Sequence, residues 1–215
     1  MKGLEQSVQN VPEASVVGKK PNSALEKFES SLESQNKQDS FDAQLDRIED
    51  SVYQSTYEER IACTPRENSE RGTWAGERGE SEYRPNDPEV QKSMKERGVE
   101  GIPYKDGIVD FSGVSEATVE IDHMTDQRQG KGGNFEQCNT KLAEEWNREG
   151  HGGRDDWTPR DVENWRKENG YTWHERNDRK TCDLVPTEIH ESCGHLGGVS
   201  ECKKDMKSKE VVFDE

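Results

Sequence analysis

The sequence predicts an α+β fold in which a strand, turn, strand and helix near residues 170–202 are surrounded by short helices and strands. A partly helical or disordered N-terminal extension precedes them. Three observations lead there. Gly170–Cys202 reads GYTWHERNDRKTCDLVPTEIHESCGHLGGVSEC, which is strand-prone, then turn-forming, then strand-prone, then briefly helical. Residues 101–124 hold short β-prone pieces split by Asp-Gly and Ser-Gly, whereas 135–149 and 159–168 carry helical stripes. Residues 1 to about 23 show no periodicity.

The 215 residues fit one domain, or a small domain with a long extension. Hydrophobic residues make up 27%, charged residues 35%, and mean hydropathy is -1.23, so one core using the whole chain would be thin. The extension is therefore favoured. A net charge of -16 argues against a general polyanion binder, because such affinity comes largely from Lys and Arg against phosphates. A divalent cation can supply positive charge at one small site, so local phosphodiester chemistry stays open. The five cysteines (63, 138, 182, 193 and 202) are odd in number and lack CxxC spacing, which predicts reduced thiols rather than a disulfide framework or a four-cysteine zinc site. The opening MKGLEQSVQNVPEASVVGKK has no apolar core of signal-peptide type, and no run approaches transmembrane length. The expectation is a soluble chain made in the cytoplasm, without a membrane segment, whose export would use another signal.

In chain order, Leu25, Phe28 and Leu32, then Phe41, Leu45, Ile48 and Val52, fall at helical spacings and predict two modest amphipathic helices. Residues 63–98 are charged and short of aliphatics; Trp74 and Tyr83 read as anchors of an irregular loop wrapped on the scaffold. Asp87-Pro88 has the form of an N-cap and N1 pair for a helix ending at Gly98. IPY, IVDF and ATVEIDHM read as strand pieces, with a hairpin turn at Tyr104-Lys105-Asp106-Gly107-Ile108. Phe135, Cys138, Leu142 and Trp146 share one helical stripe over 135–149. Thr158-Pro159 opens a further helix with Val162 and Trp165 inward, closed at Asn169-Gly170.

Three of the five histidines (His174, His190, His195) gather in 170–202 with Glu175, Asp183 and three cysteines. Phosphodiester hydrolysis needs a base working near neutral pH and a cation at the scissile phosphate. Imidazole suits the first role, and imidazole or carboxylate suits the second. His174 and Glu175 are adjacent, so a regular strand points them to opposite faces unless it ends there, and Asn177-Asp178 marks such an end. His190 and His195, five apart, would stand roughly 140° apart on an unbroken helix. Thr187 reads as the N-cap of that helix, and a left-handed Gly194 would swing His195 back toward the hairpin. Arg176, Arg179 and Lys180 on the hairpin turn are candidates to hold a phosphate backbone, against the plainer reading of solvated turn charges. His123 and His151 read as structural, and Leu184 and Val185 as core.

Taken together, GYTWHE, DLVPTEIH and GHLGG resemble the HNH/Endonuclease VII superfamily of bacterial polymorphic toxins, in the groups whose first motif is Trp-His-His or Trp-His-Glu. WAGERGES, GIPYKDGIVDFS and VEIDHMTDQR also look like what precedes that core, so the likeness runs over about residues 72 to 202. It implies a ββα-metal (HNH, His-Me finger) nuclease domain over 61–215 with its core at about 170–202, and an extension, linker or pair of partner-binding helices over 1–60. It further implies a metal-dependent endonuclease that hydrolyses DNA in competing bacterial cells. One divalent ion (Mg2+, Mn2+, Zn2+ or Ni2+) would serve it, and a cognate immunity protein would be its partner. His174 would then be general base or metal ligand, with His190 and His195 as further ligands. Glu175 stands where many relatives have a second histidine. His174 is therefore read as base and Glu175 as ligand or orienting group, with the reverse assignment as the alternative. The rival reading is a zinc-stabilised acidic interaction module without catalysis, in which Cys182, Cys193 and Cys202 with His195 hold structure although their spacing fits no standard zinc pattern closely.

Overall fold

Two small antiparallel sheets, shown by a computed structural model that describes residues 53–212 and side chains to residue 207, divide the work of holding the 170–202 unit. The helical stripes expected between residues 25 and 52 lie outside the described residues. The first sheet has the order β1-β2-β3-β4, with β1 Gly72–Trp74, β2 Glu82–Pro85, β3 Ile102–Lys105 and β4 Ile108–Val109. The second has the order β5-β7-β6, with β5 Ala117–Glu120, β6 Tyr171–Glu175 and β7 Thr181–Pro186. Helices α1 Tyr57–Cys63, α2 Pro88–Glu96, α3 Asn134–Glu149, α4 Pro159–Glu168, α5 Thr187–Ser192 and α6 Gly198–Val212 pack around them. No helix among the described residues is long and apolar enough to cross a membrane.

Strand β7 explains why two cores exist. All its residues after Thr181 are buried, and successive side chains alternate between faces. Cys182 and Leu184 join Trp173 of β6 against Cys138, Leu142 and Trp146 of α3 and Val162 of α4. Val185, one residue on, joins Ile189 and Cys193 against Tyr83, Tyr104, Val90 and Met94 of the first sheet and α2. The buried run that reads as core in the sequence is thus a strand covered on both sides.

Local signals act as expected at several places. Asp87 caps α2, its Oδ1 accepting from Glu89 N at 2.9 Å, with Pro88 at the first turn. Thr158 and Asp161 form a reciprocal capping box at α4. Asp106 and Gly107 both take positive φ (52° and 71°), the geometry that lets two residues join β3 to β4.

Residues 72–85 depart from the sequence expectation. Trp74 and Tyr83 do not pin an irregular loop; they are cross-strand partners in β1 and β2, their rings 5.1 Å apart. Gly72 is required there because a Cβ would lie 2.3 Å from the Tyr83 hydroxyl. Only Ile108–Val109 of IVDF is strand, and Phe111 leaves it in a turn closed by Val114 N to Phe111 O at 3.0 Å. Residues 54–60 are tied to the domain: buried Glu201 of α6 accepts from Ser55 N (3.0 Å), Ser55 Oγ (2.6 Å) and Asn177 Nδ2 (3.0 Å).

Candidate metal centre

The β6–β7 hairpin is drawn tight by its turn. Arg176 N donates to Thr181 O at 2.8 Å, and Asp178 Oδ1 accepts from Lys180 N (2.9 Å) and Thr181 N (2.8 Å). Arg179 takes a positive φ of 60° to complete it. The hairpin pairs His174 with Asp183 across the ladder, and pleating sends the His174 side chain to the α5 face.

Helix α5 starts at Thr187 itself, with Pro186 in the capping position and no side-chain cap, so Thr187 is not the N-cap. The helix stops at Ser192, and the break brings His195 back beside His190. Gly194 is not left-handed. Cys193 turns the chain in an extended conformation (φ -108°, ψ 90°), and Gly194 is needed because a Cβ there would meet the Cys63 carbonyl oxygen at 2.6 Å. Gly197 has a related duty, since its Cβ would stand 2.8 Å from Glu175 O. Gly194 thus allows close backbone approach to the end of α1, and Gly197 to the hairpin.

The outcome is a cluster of three imidazoles. Ring centroids lie 4.8 Å apart for His174–His195, 4.9 Å for His190–His195 and 5.6 Å for His174–His190. One ligand atom from each falls within 4.8 Å of the others, and among the described residues this is the group able to hold a metal ion. Phe111 lies against all three rings at 4.8, 5.4 and 5.5 Å, an apolar floor. His195 Nδ1 is 2.6 Å from Cys193 O, so its proton belongs on Nδ1 and Nε2 keeps its lone pair. Burial, reinforced by the neighbouring imidazoles, pushes His174 well below the ordinary histidine range. Burial likewise holds His190 at about 3, and His195 at about 4 although the Cys193 carbonyl opposes the shift. All three are neutral near pH 7, the form in which imidazole binds a cation.

Glu175 does not join them. Its carboxylate is buried beside Arg128 Nε (3.2 Å to Oε2) and Asn134 Nδ2 (3.2 Å to Oε1). Burial raises its pKa, and those two partners oppose the rise. The structure does not bring Glu175 together with His190 and His195, for the reason alternation supplies: neighbours on a regular strand face opposite ways.

The hairpin-turn cations are also occupied. Arg176 grips buried Asp183 with two bonds of 2.6 and 2.7 Å, Arg179 pairs with Asp205 at 3.3 Å, and Lys180 with Glu120 at 2.6 Å. Arg128 is a cation that the sequence pattern does not single out. It is half exposed, and its positive charge is felt by Glu175 and by all three histidines. Nothing local marks it, because its partner is 47 residues away.

The cysteines are free thiols, and none joins the histidine group. Cys182 and Cys202 lie in one core and Cys193 in the other. His151 stacks on Trp146 at 4.0 Å, and exposed His123 is bound through its backbone to Gln137.

Residues 101–197 match the family model described as the DNase/tRNase domain of colicin-like bacteriocin. That stretch is somewhat under half of the chain and contains Phe111, Arg128 and the three histidines. The match supports a nuclease toxin domain, and with it a hydrolytic activity. No curated protein matches the chain.

Proposed function

We propose that this chain is a metal-dependent endonuclease toxin of the ββα-metal (HNH) class, with its nuclease domain over 61–215, that cuts DNA in competing bacterial cells. A cognate immunity protein would restrain it in the producer. The observation that carries this reading is the three-imidazole cluster on a hairpin and helix, within a stretch matching a bacteriocin nuclease family.

His174, His190 and His195 would hold one divalent ion. The donor set fits: three neutral imidazoles, one with its tautomer set by a backbone carbonyl, against an apolar ring. When bound, such an ion supplies charge neutralisation at the scissile phosphate and lowers the pKa of water. His174 is therefore taken as ligand rather than base. Arg128 would bind a non-bridging phosphate oxygen, and Glu175 would position Arg128. Phe111 keeps solvent from the inner side of the rings.

The test is plasmid nicking by purified protein with Mg2+, Mn2+, Zn2+ or Ni2+, against His190→Ala. Nicking by the unaltered chain and its loss in the folded variant support the reading; no nicking with any of these ions sinks it.

A further inference from the structure

A second cationic feature lies apart from the histidines. Between α3 and α4 runs a groove of about 570 Å³ whose walls include Phe135, Asn139, Arg160, Glu163, Arg166 and Lys167. The last four recur at helical spacing and form one face of α4.

Arg166 is the informative member. It is only 8% exposed, and its guanidinium lies 5.2 Å from the Phe135 ring centroid. Nη1 donates to Tyr171 O at 2.9 Å, while Nε has no hydrogen-bond partner. A buried cation with a spare donor is costly unless an anion meets it. Glu163 pairs with Lys167 and its charge also reaches Arg166 and Arg160, offsetting one of the three groove cations, while Glu136 accepts from the Gly132 amide. Exposed Arg160 adds further positive charge at the groove.

The groove adjoins the segment that carries Arg128. Gln129 and Gly130 contribute to its wall and directly follow Arg128, whose guanidinium meets Glu175 at the end of β6. Arg166 meets Tyr171 at the start of β6, which is the outer strand of its sheet. The two arginines' contacts on β6, at Tyr171 and Glu175, are separated by roughly 13 Å of strand. In a chain of net charge -16, this local run of cations is where a polyanion would be accepted.

We infer that the α3–α4 groove, centred on Arg166 with Arg160 at its rim, is a subsite for a backbone phosphate of the DNA strand, flanking the scissile phosphate. The inference rests on the nuclease reading for the identity of the strand, and on the groove itself for the phosphate.

The test is binding of a fluorescent 20-nucleotide DNA to the full chain in EDTA, by anisotropy across a salt series. It compares Arg160→Glu and Arg166→Gln with Arg84→Glu, an exposed arginine of the first sheet. Both groove variants should bind about tenfold more weakly, with a salt slope shallower by about one for each phosphate no longer neutralised. Melting is followed for each; if Arg166→Gln is unfolded, Arg160→Glu carries the test because its side chain lies on the surface. Unchanged affinity and slope, or an equal loss in Arg84→Glu, overturns the subsite. Groove-dependent binding without cleavage by any metal would leave the subsite standing and remove the nuclease reading. Cleavage with groove-independent binding would do the reverse.

Discussion

His195 Nδ1 sits 2.6 Å from the carbonyl oxygen of Cys193, two residues back, at the point where α5 ends. The bond lets a helix terminus act as an orienting group. It consumes one carbonyl left open by the short helix and leaves Nε2 free of protons beside His174 and His190.

If His174 is a ligand, its removal should weaken metal binding as much as removal of His190. The expected result for His174→Ala and His190→Ala is a loss of divalent-ion affinity of about 100-fold or more in calorimetry, with cleavage lost in parallel. An abolished cleavage with intact ion affinity in His174→Ala would return that residue to the role of base.

Acid should destabilise the ion-free domain. Folding lowers the pKa of His190 to about 3 and of His195 to about 4, from the ordinary 6.5, so between these values the unfolded chain binds more protons. Stability is then full above about pH 6.5 and falls as pH drops toward 4, by about 1.4 kcal/mol per pH unit for each such histidine. Urea midpoints measured from about pH 7.5 to about 4.5 in chelator check this. A flat profile would contradict it. Ion affinity of the folded chain should hold over this interval and weaken only toward pH 4 and below, where His195 and then His190 take up protons.

Arg128→Ala should lower cleavage on the order of 100-fold while leaving ion affinity within a fewfold, since in the proposed role its guanidinium would serve the phosphate. Glu175→Gln should fall in the same direction but less, because Gln keeps one of the two oxygens to which Arg128 and Asn134 donate separately. An Arg128→Lys variant that recovers part of the rate through KM alone would point to simple phosphate attraction. A drop in ion affinity in Arg128→Ala would instead place it in support of the histidines.

Gly197→Ala should destabilise by about 1–3 kcal/mol, because the new Cβ would press on the Glu175 carbonyl, which is backbone and cannot swing away. Thermal melting reads this directly. The effect should be smaller in Gly98→Ala, where nothing lies within 4 Å and only the positive φ of 74° is strained.

Much of this protein is written locally. Tyr171–Glu175 and Thr181–Pro186 are strands because of their aromatic and β-branched residues, Asp87 and Thr158 start helices through their own oxygens, and the density of histidines in 170–202 marks where the imidazole cluster forms. Tertiary structure decided the rest. Trp74 and Tyr83 become strand residues only because they face each other, and strands of three and four residues have too little periodicity to read. Whether His174 or Glu175 enters the cluster depends on the pleat of β6 against α5, and Arg128 reaches Glu175 only through folding across 47 residues. Spacing along the chain encodes what side chains can do; which of them meet is set by strand faces and packing, which are properties of pairs of elements and not of either one alone.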